Sequence, residues 1–169
     1  LDAAIVEEDP SFFSFMKGDA VLDAVRFASA FFGEGQFESE ELTRTEDGFQ
    51  LTQELRGPYY QPLPPETLPD EGAVSEMQKD ERKEGEVQHL KQEAVIRWEE
   101  NGFILEIAIT GSEGVPVAVE MGFRTEGTLD GVDAVENVTD AYLLPDGYGE
   151  YRCGGRRITF GPGRAEHRW

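Results

Sequence analysis

The run "AVIRWEENGFILEIAIT", residues 94–110, constrains this chain more than any other stretch. Two apolar segments, Ala94–Trp98 and Phe103–Thr110, flank Glu99–Gly102, and Asn101-Gly102 supplies the pair that tolerates the positive φ angles of a type I′ hairpin turn. In the second segment Phe103, Leu105, Ile107 and Ile109 fall on one face, and Ile104, Glu106, Ala108 and Thr110 on the other. Strict alternation is a strand period, so one face is expected to be buried and the other partly wet.

The rest of the second half repeats the pattern. "GSEG" turns the chain into "VPVAVEMGFR", where Pro116 stands near a strand start and costs least. "TEGTLDGVD" reads as loop. "AYLL" and "YGEYRC" read as a strand pair joined by Pro145–Gly147, "CGGR" as a further turn into "RRITF", and "GPG" as a break before "RAEHRW". In the first half "LTRTEDGFQLTQEL" is a hairpin turning at Asp47-Gly48. Residues 19–33 admit two readings. As a helix, Asp19 caps it, Val21, Leu22, Val25 and Phe32 line one face, and Gly33 ends it. As a strand, Val21, Val25, Phe27 and Phe31 alternate on one face, and the β-rich context favours this reading.

The expected architecture is therefore all-β, an antiparallel β-sandwich of supersandwich or jelly-roll type, in one domain spanning residues 1–169. Residues 57–86 carry five prolines followed by a charged run and read as a long loop or connector, with disorder favoured for Glu71–Glu86. The Gly57–Pro62 end, with its paired tyrosines, is the part expected to dock. The abrupt ending and the leading Leu1 suggest a fragment of a larger protein.

Composition narrows the function classes. Hydrophobic residues make up 38% and eleven Phe are present, which suits a packed core. Against 35 acids stand 15 bases, only four of them Lys (Lys17, Lys79, Lys83 and Lys91), for a net charge of −20. Such a surface repels phosphate backbones, so neither nucleic acid nor an anionic membrane is an expected partner. It also suits high salt, although a bias toward Arg in the coding genome gives the same signature. No apolar run approaches a membrane span, and no signal-peptide pattern opens the chain. Cys153 is the sole cysteine, so no internal disulfide forms.

Catalytic and metal motifs do not surface: no zinc-protease, serine-hydrolase or phosphate-loop pattern occurs, and no cofactor is implied. "GEGQF" at 33–37 has two glycines of a dinucleotide fingerprint but reads as a turn. His89 and His167 lie too far apart in sequence to suggest a zinc site, and "ESEE" at 38–41 reads as a solvated charged face rather than a calcium loop. Cys153, among Arg152, Arg156 and Arg157, has cations that favour a thiolate, but a buried or turn cysteine is the simpler assignment. Trp98 reads as core, and "NVT" at 137–139 as a chance match to a glycosylation acceptor.

The candidate ligand residues are Tyr59 and Tyr60 and the tail residues Arg164, Glu166, His167 and Trp169. Paired tyrosines form a stacking platform, and arginine forks beside an aromatic ring suit a uronic acid or other acidic sugar. The competing reading has the tail as an inner strand whose arginines pair with local carboxylates.

"GVPVAVEMGFR", "LLPDGYGEY" and "RRITFGPGRAEHRW" give residues 92–169 a resemblance to the β-sandwich domains of heparinase II/III-type polysaccharide lyases and related carbohydrate-active proteins. The resemblance covers under half of the chain and implies carbohydrate association and a neighbouring domain. Catalysis in that family resides largely in a helical toroid, so no catalytic residue is carried over. The expected function is a non-catalytic domain of a carbohydrate-associated protein, in contact with an acidic polysaccharide or oligosaccharide. The alternatives are a lyase or glycoside hydrolase in its own right, or a structural and assembly domain without ligand.

Overall fold

The computed structural model describes residues 1–62 and 82–165, and every regular element among them is a strand. In chain order they are β1 (Asp2–Ile5), β2 (Phe13–Lys17), β3 (Ala20–Ser29), β4 (Glu41–Arg44), β5 (Gly48–Tyr60), β6 (Glu84–Glu99) and β7 (Gly102–Gly111). There follow β8 (Val117–Phe123), β9 (Thr128–Asp130), β10 (Asp133–Ala134), β11 (Tyr142–Leu143), β12 (Asp146–Cys153) and β13 (Arg156–Arg164). They form antiparallel sheets ordered β1-β2-β3-β8, β4-β5-β6-β7 and β13-β12-β9, with β10 and β11 as a separate pair.

The alternation in β7 is realised: Phe103, Leu105, Ile107 and Ile109 pack against the core while Ile104, Glu106, Ala108 and Thr110 are exposed. The hairpin turns differ in detail from expectation. Glu99 pairs with Gly102, so Glu100 and Asn101 are the central residues, and neither Asn101 nor Gly102 takes a positive φ. Gly48 does not either; it joins β5, and Thr45 N donates to Gly48 O at 2.9 Å. The double positive-φ turn lies instead at Gly154-Gly155 (φ 55° and 75°), which closes the β12–β13 hairpin between Cys153 and Arg156.

Residues 20–29 are a strand, but not with the face alternation expected. The register shifts between Phe13 and Phe15 on β2 and between Leu22 and Ala24 on β3. One extra residue reverses the phase of everything after it. Ala20 and Leu22 therefore reach the core before the shift, and Val25 and Phe27 after it. Val21 and Phe31 are buried outside that cluster.

Several C-terminal readings need correction. Tyr142–Leu143 pairs with Asp133–Ala134, while β12 pairs with β13 and β9. The supposed loop "TEGTLDGVD" contains β9, which pairs Leu129 with Tyr151. β13 runs through Gly161-Pro162-Gly163 to Arg164, and it is the edge rather than an inner strand of its sheet. The edge position accommodates a proline, which has no N–H to offer a second neighbour. The 57–86 stretch is likewise less loop than expected, since Gly57–Tyr60 and Glu84–Glu86 belong to β5 and β6. Residues 63–81 lie outside the described residues.

Aromatic rings fill the space between the two four-stranded sheets. Phe27 and Phe37 stack with centroids 4.3 Å apart, and Phe12 meets both edge-on at 5.8 and 5.3 Å. Phe13 of β2 reaches Phe103 of β7 at 4.5 Å, joining the sheets directly. The third sheet attaches through Tyr151, whose ring stacks on Phe123 of β8 at 4.9 Å and whose hydroxyl donates to Arg124 O at 2.8 Å. Burial pushes that phenol up from its ordinary value.

Two tests follow from this packing. Phe37→Ala empties a fully buried ring site and is expected to cost about 3–5 kcal/mol, read from denaturant unfolding. For Tyr151 the folded state favours the neutral phenol, so its stabilisation is complete below the unfolded pKa and lost as pH rises through the folded one. Tyr151 phenolate absorbance should therefore appear only together with alkaline unfolding, and Tyr151→Phe should remove that component.

Candidate functional site: an aromatic depression at the end of the β5–β6 arm

β5 and β6 extend past their neighbours. The last β4 pairing is Glu41 with Thr52 and the last β7 pairing is Leu90 with Gly111, yet β5 and β6 remain paired as far as Tyr60 and Glu84. The projecting arm is cross-linked by Arg56, whose NH1 donates to Glu84 Oε1 at 3.1 Å. The Arg56 guanidinium holds the Glu84 carboxyl below the ordinary carboxylate range. Pro58 pairs with Val87 within the arm, beyond the reach of β4, where its missing N–H leaves no ladder bond unmade.

Against the arm lies the turn that follows β3. Its backbone is held from several sides: Ser29 N donates to Gly35 O at 2.8 Å, Phe37 N to Phe27 O at 3.0 Å and Gln36 Nε2 to Phe27 O at 3.1 Å. Gln92, fully buried on β6, adds Nε2 donations to Gly35 O at 3.4 Å and to Gln53 Oε1 at 3.3 Å. Gln53 Oε1 in turn accepts Glu38 N at 3.2 Å. Buried amides thus pin the returning limb of the turn to the second sheet.

What the pinned turn presents is Phe32. Its φ is 48°, a region that a bulky side chain enters only when its surroundings impose it. The ring is 45% exposed and lies over Gly57, where a Cβ would overlap it. Gly57 is thus a close-approach glycine, leaving room for an aromatic ring on the strand backbone. Tyr59, 55% exposed, meets Phe32 edge-on at 4.9 Å, and Phe31 meets it from the other side at 5.0 Å. Tyr60 faces elsewhere along the arm, beneath the Arg82 guanidinium at 4.7 Å.

The rings form one wall of an open depression of about 800 Å³. Beside them on the adjacent strand begins a hydrogen-bonded row: Ser112 Oγ donates to Gln88 Oε1 at 3.2 Å, and Gln88 Nε2 to Glu86 Oε1 at 2.7 Å. Glu113 completes the lining, so the charged side chains of the depression are both carboxylates. An apolar stacking surface beside a line of amide, hydroxyl and carboxylate groups can hold a ligand that is flat and apolar on one side and hydroxylated on the other.

Of the residues singled out from sequence, Tyr59 belongs to this depression and Tyr60 is its neighbour on the arm. Arg164 sits at the far end of β13, opposite Asp146 in another sheet, and is not joined to the tyrosines. Glu166, His167 and Trp169 lie outside the described residues. Two other tail arginines behave as internal partners: Arg152 bridges Glu150 and Asp130, the latter at 3.2 Å, and Arg157 reaches Glu150 at 3.4 Å. Cys153 packs at the core margin beside the hairpin turn. Trp98 is 40% exposed and only partly core, packing near Phe13 at 6.1 Å.

Sequence reasoning missed Phe32, Glu86, Gln88, Ser112 and Glu113, which come from three separate stretches of chain. Among the described residues no group of three or more His, Cys, Asp or Glu is placed to hold a metal, and no helix is long and apolar enough to cross a membrane. No family model, curated protein or solved structure matches this chain.

If Phe32 is held for presentation rather than for packing, Phe32→Gly should shift the unfolding free energy by less than about 1 kcal/mol, because the lost contacts are offset by release of backbone strain worth ~1–3 kcal/mol. A loss beyond about 3 kcal/mol in chemical denaturation would make the ring a core element.

Proposed function

We propose that this is a non-catalytic β-sandwich domain that contacts glycan through the Phe32–Tyr59 depression. The observation that carries this reading is the pair of half-exposed rings, one at a strained φ, beside the Ser112–Gln88–Glu86 row. Sugar rings offer C–H faces to aromatic side chains and hydroxyls to amides and carboxylates. The depression is open along its length and so offers little of the desolvation that shifts catalytic carboxyl groups toward neutral pH, which favours binding over hydrolysis or elimination.

The lining also changes the sugar expected. Glu86 and Glu113 oppose an anionic ligand, and Arg164, the arginine that suggested a uronic acid, stands in another sheet and does not line the depression. A neutral oligosaccharide therefore fits the depression better than an acidic one. Calorimetric titration with neutral hexose and with uronic acid oligosaccharides tests this. Binding of the neutral series, weakened about tenfold or more by Tyr59→Ala and unaffected by Arg164→Ala, is expected, at ~1–2 kcal/mol for one stacking ring. Preference for the uronic series, abolished by Arg164→Ala, would move the site to the tail. Silence from both series would favour a role in assembly.

A further inference from the structure

Along one side of the two large sheets the core is only partly covered among the described residues. β7 ends one sheet and β8 ends the other among the described residues, and residues 112–116 join them directly. The two edges therefore lie on the same side of the molecule. One strand in from each edge, burial is complete: Ala94 and Ile96 of β6 are 0% exposed, and Val25 and Phe27 of β3 are 0% and 1%. Their directly paired neighbours are not. Ile107 pairs with Ala94 and Leu105 with Ile96, and both are only partly buried. Val119 pairs with Phe27 and Val117 with Ser29, yet they are 49% and 43% exposed. Paired residues project from the same face of a sheet, so these valines stand on the core side of β8 with part of their surface uncovered.

The β7 edge lacks the usual protection, and β8 has only the register shift beside Leu22–Ala24. Natural sheets blunt free edges with proline, lysine or bulges. β7 has none of these along its ten residues, and its pairing with β6 shows no register shift. β8 contains neither proline nor lysine. By contrast the edge strand β13 carries Pro162 and three arginines.

Charge says what fits there. Along residues 99–126 stand Glu99, Glu100, Glu106, Glu113, Glu120 and Glu126, all exposed; Arg97 meets Glu106 and Arg26 meets Glu120 at 3.6 Å, which leaves four glutamates against Arg124. Arg124 is engaged with Asp23 at 3.2 Å. A second copy of this chain, at a net charge of −20, brings the wrong sign. We propose that the β7–β8 side docks an extended basic polypeptide, which adds a strand to the β7 edge and lays alternate apolar side chains against Leu105, Ile107 and Val119. Main-chain pairing supplies affinity, the half-open core receives every second side chain, and the acidic surroundings at Glu99, Glu100 and Glu126 favour Lys or Arg at the alternate positions. This surface borders the aromatic depression at residues 112–115 but does not include Phe32 or Tyr59, so its failure would leave the glycan reading untouched.

The test is fluorescence anisotropy of the full chain with a labelled peptide of about ten residues alternating Val and Lys, matched to the length of β7. A blocked-order peptide of the same composition, an alternating Val and Glu peptide and sedimentation of the protein alone complete the set. Saturable one-to-one binding of the Val–Lys peptide is expected, weakened about tenfold by Val119→Asp and by raising salt from about 50 to about 500 mM. Val119 is half exposed, so the variant should keep its thermal transition, which circular dichroism checks. Equal binding of the blocked-order peptide, or indifference to Val119→Asp, would overturn the proposal. So would a dimer in the absence of peptide that Val119→Asp dissolves, because the occupant would then be a second copy.

Discussion

The Phe27–Phe37 stack organises the molecule because it is also a backbone junction. Phe37 N donates to Phe27 O, so the two rings and the two chain segments meet at one place. Phe12 closes the group from the side, and Leu51, Ala94 and Ile96 of the second sheet share its core. Everything between Phe27 and Phe37 must then return on itself within the space the stack allows. That requirement produces the turn at 30–36 and, through it, the exposed Phe32. The site is a by-product of core packing: a tight return from a buried ring forces an outlying φ, and the ring that bears it has nowhere to go but over Gly57.

Charge acts in the opposite sense, by dispersal. Six described arginines, Arg26, Arg56, Arg97, Arg124, Arg152 and Arg157, sit beside carboxylates at strand surfaces, and the Arg97 guanidinium holds the Glu106 carboxyl below its usual range. Exposed pairs of this kind add little stability. Their effect is to consume cations, so the unmatched carboxylates, Glu86 and Glu113 at the depression and Glu99, Glu100 and Glu126 near the β7–β8 side, set the local sign. Both proposed interactions follow from that imbalance, one selecting against anionic sugars and the other selecting for cationic peptide.

Much of the fold was legible because hairpins are local. The β6–β7 alternation, the Asp47-Gly48 reversal and the paired glycines after Cys153 each announce a strand pair within a short span, and each pair forms. Legibility failed where pairing partners are chosen at a distance. Tyr142–Leu143 looks like the natural mate of the strand after Pro145, yet it pairs backward with Asp133–Ala134. Likewise the phase of β3 cannot be read from its own residues, since the bulge that sets it arises from the mismatch between β2 and β8 on either side. Of the site, Tyr59 was visible as an aromatic after Gly-Pro at the end of a strand. Phe32 was not, because in a sequence window it is one more ring in an apolar run.

By itself the sequence determined the class of fold and the solvent character of the molecule. Alternation and turn chemistry compel antiparallel strands, and an excess of acids over bases compels a surface hostile to anions, whatever the topology. Only the tertiary structure decided which rings are buried and which are offered. Phe27, Phe31 and Phe32 are chemically alike and close in the chain, but their exposures are 1%, 3% and 45%. The difference lies in what is set against each one, a stacked Phe37 from the returning chain for the first and the bare backbone of Gly57 for the last.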